Sequence, residues 1–337
     1  MAIARKAIKG ITAIGIFCAV LMVPVKMVMA DQKPLSIVAS IKPVHALVAG
    51  VMGDLGTPRL LLVAPSSAHH FTLKPSQARV LQNADIVFWI GPGMEQPLTK
   101  ALGTLAADAQ AVALDDSVGL VLFDFDDDGH DDHAAKDDHD DHGTKDGHAD
   151  HDDHVTKVGH GGHGEHSINP HFWLDPFNAQ IMLGVIADHL GKADPVNAKT
   201  YQANADVMRQ NLAQLQIDIA RELAPFAESE FLVLHDAHIY FERRFGMRAH
   251  GAITTEPDVM PTAAKIKKLR HDLESHPMDC IFGEPFLGQK AVGLIAEGND
   301  IHIGRLDPLG SQLPAGASLY ADLLKSYVAA FKACLAP

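Results

Sequence analysis

The sequence predicts an α/β protein of two βα lobes, each with a mainly parallel sheet, joined by one long rigid helix and facing each other across a cleft. Two observations carry this. Short apolar runs alternate with amphipathic stretches in both halves of the chain, the order that gives parallel sheets with helices on their faces. Between the two halves, Tyr201, Ala205, Met208, Leu212, Leu215, Ile219 and Leu223 recur every three or four residues, one narrow apolar stripe on a single long helix. The chain of 337 residues is long enough to build two cores.

The elements follow in order. Residues 1–30 read as a secretory signal: Arg5, Lys6 and Lys9 make the positive start, 11–23 the apolar run, and Val28-Met29-Ala30 the small residues for cleavage. The run is short of the roughly 20 residues of a spanning helix, and Phe17 before Cys18 does not suit a lipoprotein site, so a soluble exported protein is expected. An N-terminal lobe over 31–194 has strands at 36–40, 59–63, 85–91 and 111–114, with helices at 43–51, 75–83 and 94–105. A His- and Asp-rich tract interrupts it at 123–166, and ordered sequence resumes at 169–177. The long helix fills 195–225, with Asp194 as cap, Pro195 in its first turn and Pro225 as stop. At 1.5 Å per residue it would span about 45 Å, a connector packed along both lobes. The C-terminal lobe, 226–337, has strands at 230–235, 248–252, 280–283 and 301–306, with helices at 240–245, 262–275, 289–297 and 317–334.

The tract carries His130, His133, His139, His142, His148, His151, His154, His160, His163 and His166 among Asp and Gly. Imidazole and carboxylate are the donors that borderline first-row metals choose, so these ten histidines are candidate weak metal sites. Few aliphatic residues are present to offset the entropy of ordering, so a mobile loop is expected.

The chain has 28 Lys and Arg against 42 Asp and Glu. Removing 1–30 takes away four bases and no acid, leaving a net charge of −18, of which −12 belongs to 123–166. With no basic face to meet phosphates, nucleic acid is excluded as a partner, whereas a cation fits. Cys280 and Cys334 remain after export; an even count in an oxidising compartment reads as one disulfide, the other possibility being two buried free thiols.

Three histidines outside the tract lie where ligands gather in open α/β sheets, beyond the carboxyl ends of strands. His69 follows the second strand in Ser66-Ser67-Ala68-His69-His70-Phe71. His171 lies in Asn169-Pro170-His171-Phe172-Trp173-Leu174-Asp175-Pro176, and His235 closes a strand in Leu234-His235-Asp236-Ala237-His238-Ile239-Tyr240-Phe241. Spacing alone does not bring them together. These words, with Leu73-Lys74-Pro75-Ser76, Phe282-Gly283-Glu284-Pro285 and Leu306-Asp307-Pro308-Leu309-Gly310, resemble the periplasmic solute-binding proteins of zinc ABC transporters, the ZnuA type, over essentially the whole mature chain.

The resemblance implies Zn²⁺ as transported cargo, held by His69, His171 and His235 and delivered to an inner-membrane ABC permease with its cytoplasmic ATPase. It implies no catalytic activity; a periplasmic monomer is expected. Some relatives place a Glu before the first His, where this chain has Ala68. By resemblance, Asp307, at the end of the last strand, occupies the position where manganese-binding relatives use a carboxylate, which makes it the candidate fourth ligand: it could bind directly or through water, or only orient a histidine. Among neighbouring histidines, His45 is expected to line the cleft, His238 to be structural and His250 to sit inside a strand, with His70 the less suitable of an adjacent pair. A manganese-binding protein of the same family is the first alternative, favoured by oxygen-rich sites. A zinc hydrolase is another, since three histidines plus water is also a catalytic set, but no HExxH motif is present. A metal buffer using only the tract is the third.

Overall fold

The computed structural model describes residues 34–63, 67–125, 168–254 and 258–336. The expected signal and the ten tract histidines lie outside the described residues. The described residues from Leu35 onward form one compact unit, and no helix among them is long and apolar enough to cross a membrane.

Two four-stranded parallel sheets organise this unit. The first contains β1 (Ile37–Ala39), β2 (Arg59–Leu60), β3 (Ile86–Trp89) and β4 (Gln110–Ala113) in the order β2-β1-β3-β4. The second contains β5 (Phe231–His235), β6 (Gly251–Thr254), β7 (Cys280–Gly283) and β8 (His302–Arg305) in the order β6-β5-β7-β8. The two orders are the same pattern. In each, the chain first steps outward and then crosses back, leaving a switch point between β1 and β3 and another between β5 and β7, where loops part and a crevice opens.

The helices are α1 (Lys42–Met52), α2 (Pro75–Gln82), α3 (Gln96–Leu105), α4 (Pro176–Ala193), α5 (Ala198–Leu223), α6 (Ile239–Phe245), α7 (Ala263–Ser275), α8 (Gln289–Ala296) and α9 (Leu319–Leu335). Most match their expected positions to within one or two residues; four features differ. Strand β2 ends at Leu60, three residues short of its expected end. The long helix α5 begins at Ala198, not 195, because the Asp194 carboxylate accepts from Asn197 Nδ2 (2.6 Å) and Tyr201 Oη (3.0 Å) in a turn. Its 26 residues span about 39 Å. Helix α4 was not anticipated beyond Phe177. Its apolar residues extend past the buried face to Phe177, Ile181 and Val185, which blurs the stripe; Ala179, Met182, Leu183, Ile186, Ala187 and Leu190 form the buried face, while Phe177 and Asp188 are exposed. Strand β6 starts three residues late: Ala249 N–H is taken by the Glu242 carboxylate (3.0 Å), His250 N–H makes a backbone bond to β5 at the Phe231 carbonyl (2.8 Å), and paired residues begin at Gly251. His250 therefore precedes the strand instead of lying inside it.

Helices α4 and α5 are joined by a four-residue turn and pack along each other, and α5 also meets α1 and α9. The core is correspondingly continuous: residues from both sheets and from α1, α4, α5, α6 and α9 form one apolar cluster. In β5, alternate residues divide between two cores, as a period-2 strand requires. Phe231 and Val233 face the shared core, while Leu232 and Leu234 face a smaller one beneath α7 and α8. A disulfide joins Cys280 in β7 to Cys334 in α9, with Cα atoms 5.9 Å apart, so the cysteines are not free thiols.

Candidate metal centre

His235 is the last residue of β5, and Glu284 directly follows β7. They flank the second sheet's switch point, and both are buried. There His235 Nδ1 pairs with Glu284 Oε1. An ionised carboxylate only accepts, so His235 carries its proton on Nδ1 and presents a bare Nε2 to the cleft.

His171 is oriented by a different route. Asn169 Oδ1 accepts from the backbone N–H of His171 (3.1 Å), and Asn169 Nδ2 donates to the Asp236 carbonyl (2.5 Å). Those two backbone partners settle which end of the amide is oxygen. His171 Nδ1, 2.8 Å from the same Oδ1, must then be the protonated nitrogen. Nε2 is again the lone pair. The segment is held from the second lobe: Tyr240 Oη donates to the Asn169 carbonyl (2.7 Å) and Trp173 Nε1 to the Pro308 carbonyl (2.9 Å). Asp175, which caps α4 by accepting from Phe177 N–H, also receives both arms of Arg244 (2.7 and 2.6 Å). Although it precedes α4 in the chain, His171 is thus positioned largely by residues beyond α5.

His69 comes from the irregular segment after β2 and is half-buried; its backbone N–H meets Ser67 Oγ (3.2 Å). Its Nε2 lies 3.2 Å from that of His171, and His235 Nε2 lies 3.4 Å from the same atom. Among the described residues, the group of metal-capable side chains whose ligand atoms lie within 4.8 Å of one another is these three. Two nitrogens each 2.0–2.1 Å from a tetrahedral zinc stand about 3.3–3.4 Å apart. With the protons of His171 and His235 both on Nδ1, their Nε2 lone pairs face each other, an arrangement that a cation between them stabilises. His171 is pushed well below the usual imidazole range, first by burial and then by His69, His235 and His238. It stays neutral, and a neutral ring is a ligand.

The other expected residues separate cleanly. Asp307 lines the same cleft but contributes no oxygen to the close group. Its Oδ2 accepts from Ser311 N–H (2.7 Å) and Ser311 Oγ (2.6 Å), and its Oδ1 from Leu309 N–H (3.2 Å). His70 is exposed and does not line the cleft. His45, expected at the cleft, is buried on α1 with Nε2 3.1 Å from the Pro58 carbonyl; the helix turns it toward the loop before β2. His238 is structural: its Nδ1 lies 2.9 Å from Tyr327 Oη, and burial, then His235, holds its pKa well down. Sequence reasoning gave Glu284 and Asn169 no role. Glu284 obeys the same strand-end rule that marked His235, so a signal was present; Asn169 has none beyond lying two residues before a ligand.

Comparison with known proteins supplies the family. The ZnuA family model, described as zinc-uptake complex component A, periplasmic, matches residues 37–334. The high-affinity zinc uptake system protein ZnuA of Brucella abortus is 41% identical over 304 residues, covering 89% of this chain and 91% of its own. A crystal structure of ZnuA superposes with a TM-score of 0.70 at 22% identity, covering 90% of this chain and all of that one. FpvC of Pseudomonas aeruginosa in complex with Mn²⁺ reaches the same TM-score at 19% identity, covering 90% and 98%. The shared fold therefore does not choose the ion. The family match over nearly the whole described chain does place it: the protein belongs to the ZnuA family, the periplasmic component A of zinc-uptake complexes.

Proposed function

We propose that this protein captures Zn²⁺ in the periplasm with the Nε2 atoms of His69, His171 and His235 and passes it to an inner-membrane ABC permease coupled to a cytoplasmic ATPase. It is a binding component of an uptake system, not an enzyme. Residues 1–30 direct export, and the protein acts as a monomer.

The observation that carries the reading is the convergence of three imidazole nitrogens, two of them buried, at 3.2 and 3.4 Å. Three imidazoles suit zinc, whereas manganese prefers oxygen donors. The fourth position is then left for water, which suits an ion that must be released again. A core shared by both lobes opposes wide hinge opening, so release proceeds through small shifts of loops such as the one carrying His69.

The tract at 123–166 supplies additional weak cation sites through its ten histidines. Calorimetry with Zn²⁺ on the full chain and on a chain lacking 124–166 tests the division of labour. One tight site is expected in both, with weaker sites only in the full chain, and those fade below about pH 6 as exposed imidazoles protonate. Loss of the tight site on deletion would move the ligands into the tract and overturn the reading.

A further inference from the structure

Two carboxylates line the metal cleft, Glu284 and Asp307, and both are committed elsewhere. Glu284 is held by His235 Nδ1. Asp307 is held by the turn that follows it, through the backbone N–H groups of Leu309 and Ser311 and the Ser311 hydroxyl. The turn is itself pinned from the other lobe. Lys42, at the start of α1, donates its ammonium to the carbonyls of Gly310 (3.3 Å), Ser311 (2.7 Å) and Leu313 (2.8 Å). Its charge also attracts the Asp307 carboxylate. Neither Asp307 oxygen stands with the three imidazole nitrogens, so to reach an ion among them the carboxylate has to turn away from where these donors hold it.

Building on the zinc reading above, we infer that Ser311 sets the metal preference of the cleft: by holding Asp307 away from the ion, it keeps the donor set nitrogen-only and disfavours Mn²⁺. The chemical basis is donor hardness. A carboxylate oxygen added to three imidazoles improves the site for Mn²⁺ more than for Zn²⁺, which three imidazoles already suit. Ser311 is a positioning residue. It touches no ion and acts through the Asp307 carboxylate.

The test measures Zn²⁺ and Mn²⁺ affinities of the full chain at substoichiometric metal. A competing chelator reports Zn²⁺, and paramagnetic resonance of the free ion reports Mn²⁺. Ser311→Ala removes one hydrogen bond to a charged acceptor and is expected to lower the Zn²⁺:Mn²⁺ affinity ratio about tenfold. Ser311→Thr, which keeps the hydroxyl, restores the ratio, and Ser311→Ala combined with Asp307→Ala abolishes the shift. A merely structural role for Ser311 would not move this ratio, nor make its movement depend on Asp307. An unchanged ratio in Ser311→Ala, or a shift that persists without Asp307, overturns the inference. His171→Ala in the same assay separates the two levels. If it removes tight Zn²⁺ binding while Ser311→Ala leaves the ratio alone, only the role of Ser311 falls. If Zn²⁺ binding survives His171→Ala, the three-histidine site falls, and Ser311 with it.

Discussion

The two lobes share one strand order but use their switch points differently. Between β5 and β7, the Glu284 carboxylate pairs with Nδ1 of His235, a candidate ligand that lines the cleft. Between β1 and β3, the carboxylate is Glu95, and it turns inward. Its Oε2 accepts from the backbone N–H groups of Ile90 (2.8 Å) and Gly91 (3.3 Å), bracing the loop that ends at Met94 on the cleft wall. Gly91 adopts φ 145°, and a Cβ there would collide with the Asp115 carboxylate. Burial pushes Glu95 up to about 7, the hydrogen bonds to Ser40, Gly91 and Ile90 opposing it. One topology thus yields an ordered histidine facing the cleft in one lobe and a braced wall in the other. The first lobe's own candidate ligand, His69, comes from an irregular segment and is only half-buried. A rigid ligand and an adaptable one across a cleft suit an ion that has to be both held and surrendered.

The comparison can be broken first at the ligands. His235→Ala and His171→Ala should each reduce Zn²⁺ affinity by more than the roughly 10–100-fold of an orienting residue. Chelator competition measures this, and a loss of tenfold or less at either position would remove it from the ligand set. The disulfide belongs to the second lobe alone. Replacing Cys280 and Cys334 by Ser should cost about 3–4 kcal/mol in the chain-entropy model for a separation of 54 residues. Because the core is continuous, denaturant unfolding should remain a single transition; a separate early transition of the second lobe would show the lobes to be independent.

Glu95 gives a pH signature of opposite sign to the buried histidines. Its folded pKa is raised from 4.5 to about 7, so the folded state binds more protons than the unfolded one between those values. Stability is lost as pH rises through that window, by about 3 kcal/mol in total at about 1.4 kcal/mol per unit. Glu95→Gln should therefore gain stability against wild type at pH 8 relative to pH 5, read by denaturant unfolding of metal-free protein. A difference that does not change with pH would mean Glu95 is ionised throughout. His171 and His238, with folded pKa values depressed, favour the folded state above the unfolded value near 6.5 and lose that stability as pH falls below it.

Smaller effects sharpen the ligand assignment. Glu284→Gln should lower Zn²⁺ affinity about 10–100-fold while leaving a single site, as expected for a residue that orients a ligand. His70→Ala should change affinity least, within about twofold, since its exposed ring lies outside the cleft lining. Equal losses at positions 70 and 171, in the same competition assay, would reverse the assignment of the ligand.

Much of this protein was legible in the sequence because it is written locally. Strand and helix periodicity announced the alternating elements, strand ends marked His69 and His235, and an even cysteine count after export suggested the bridge. Local patterning failed where apolar residues extended beyond the buried face, as in α4, and where a side chain chose a turn over a cap, as Asp194 did. Only the tertiary structure brought the three candidate ligands together. His69 and His235 lie 102 and 64 residues from His171, and no spacing rule brings three such nitrogens within bonding distance of one ion. It also decided which carboxylates were free. Glu284 and Asp307 both reach the cleft, but one is bound to His235 and the other to Ser311. A carboxylate's availability depends on the donors that surround it in space, and those come from chain segments that the residue's own neighbours in sequence do not specify.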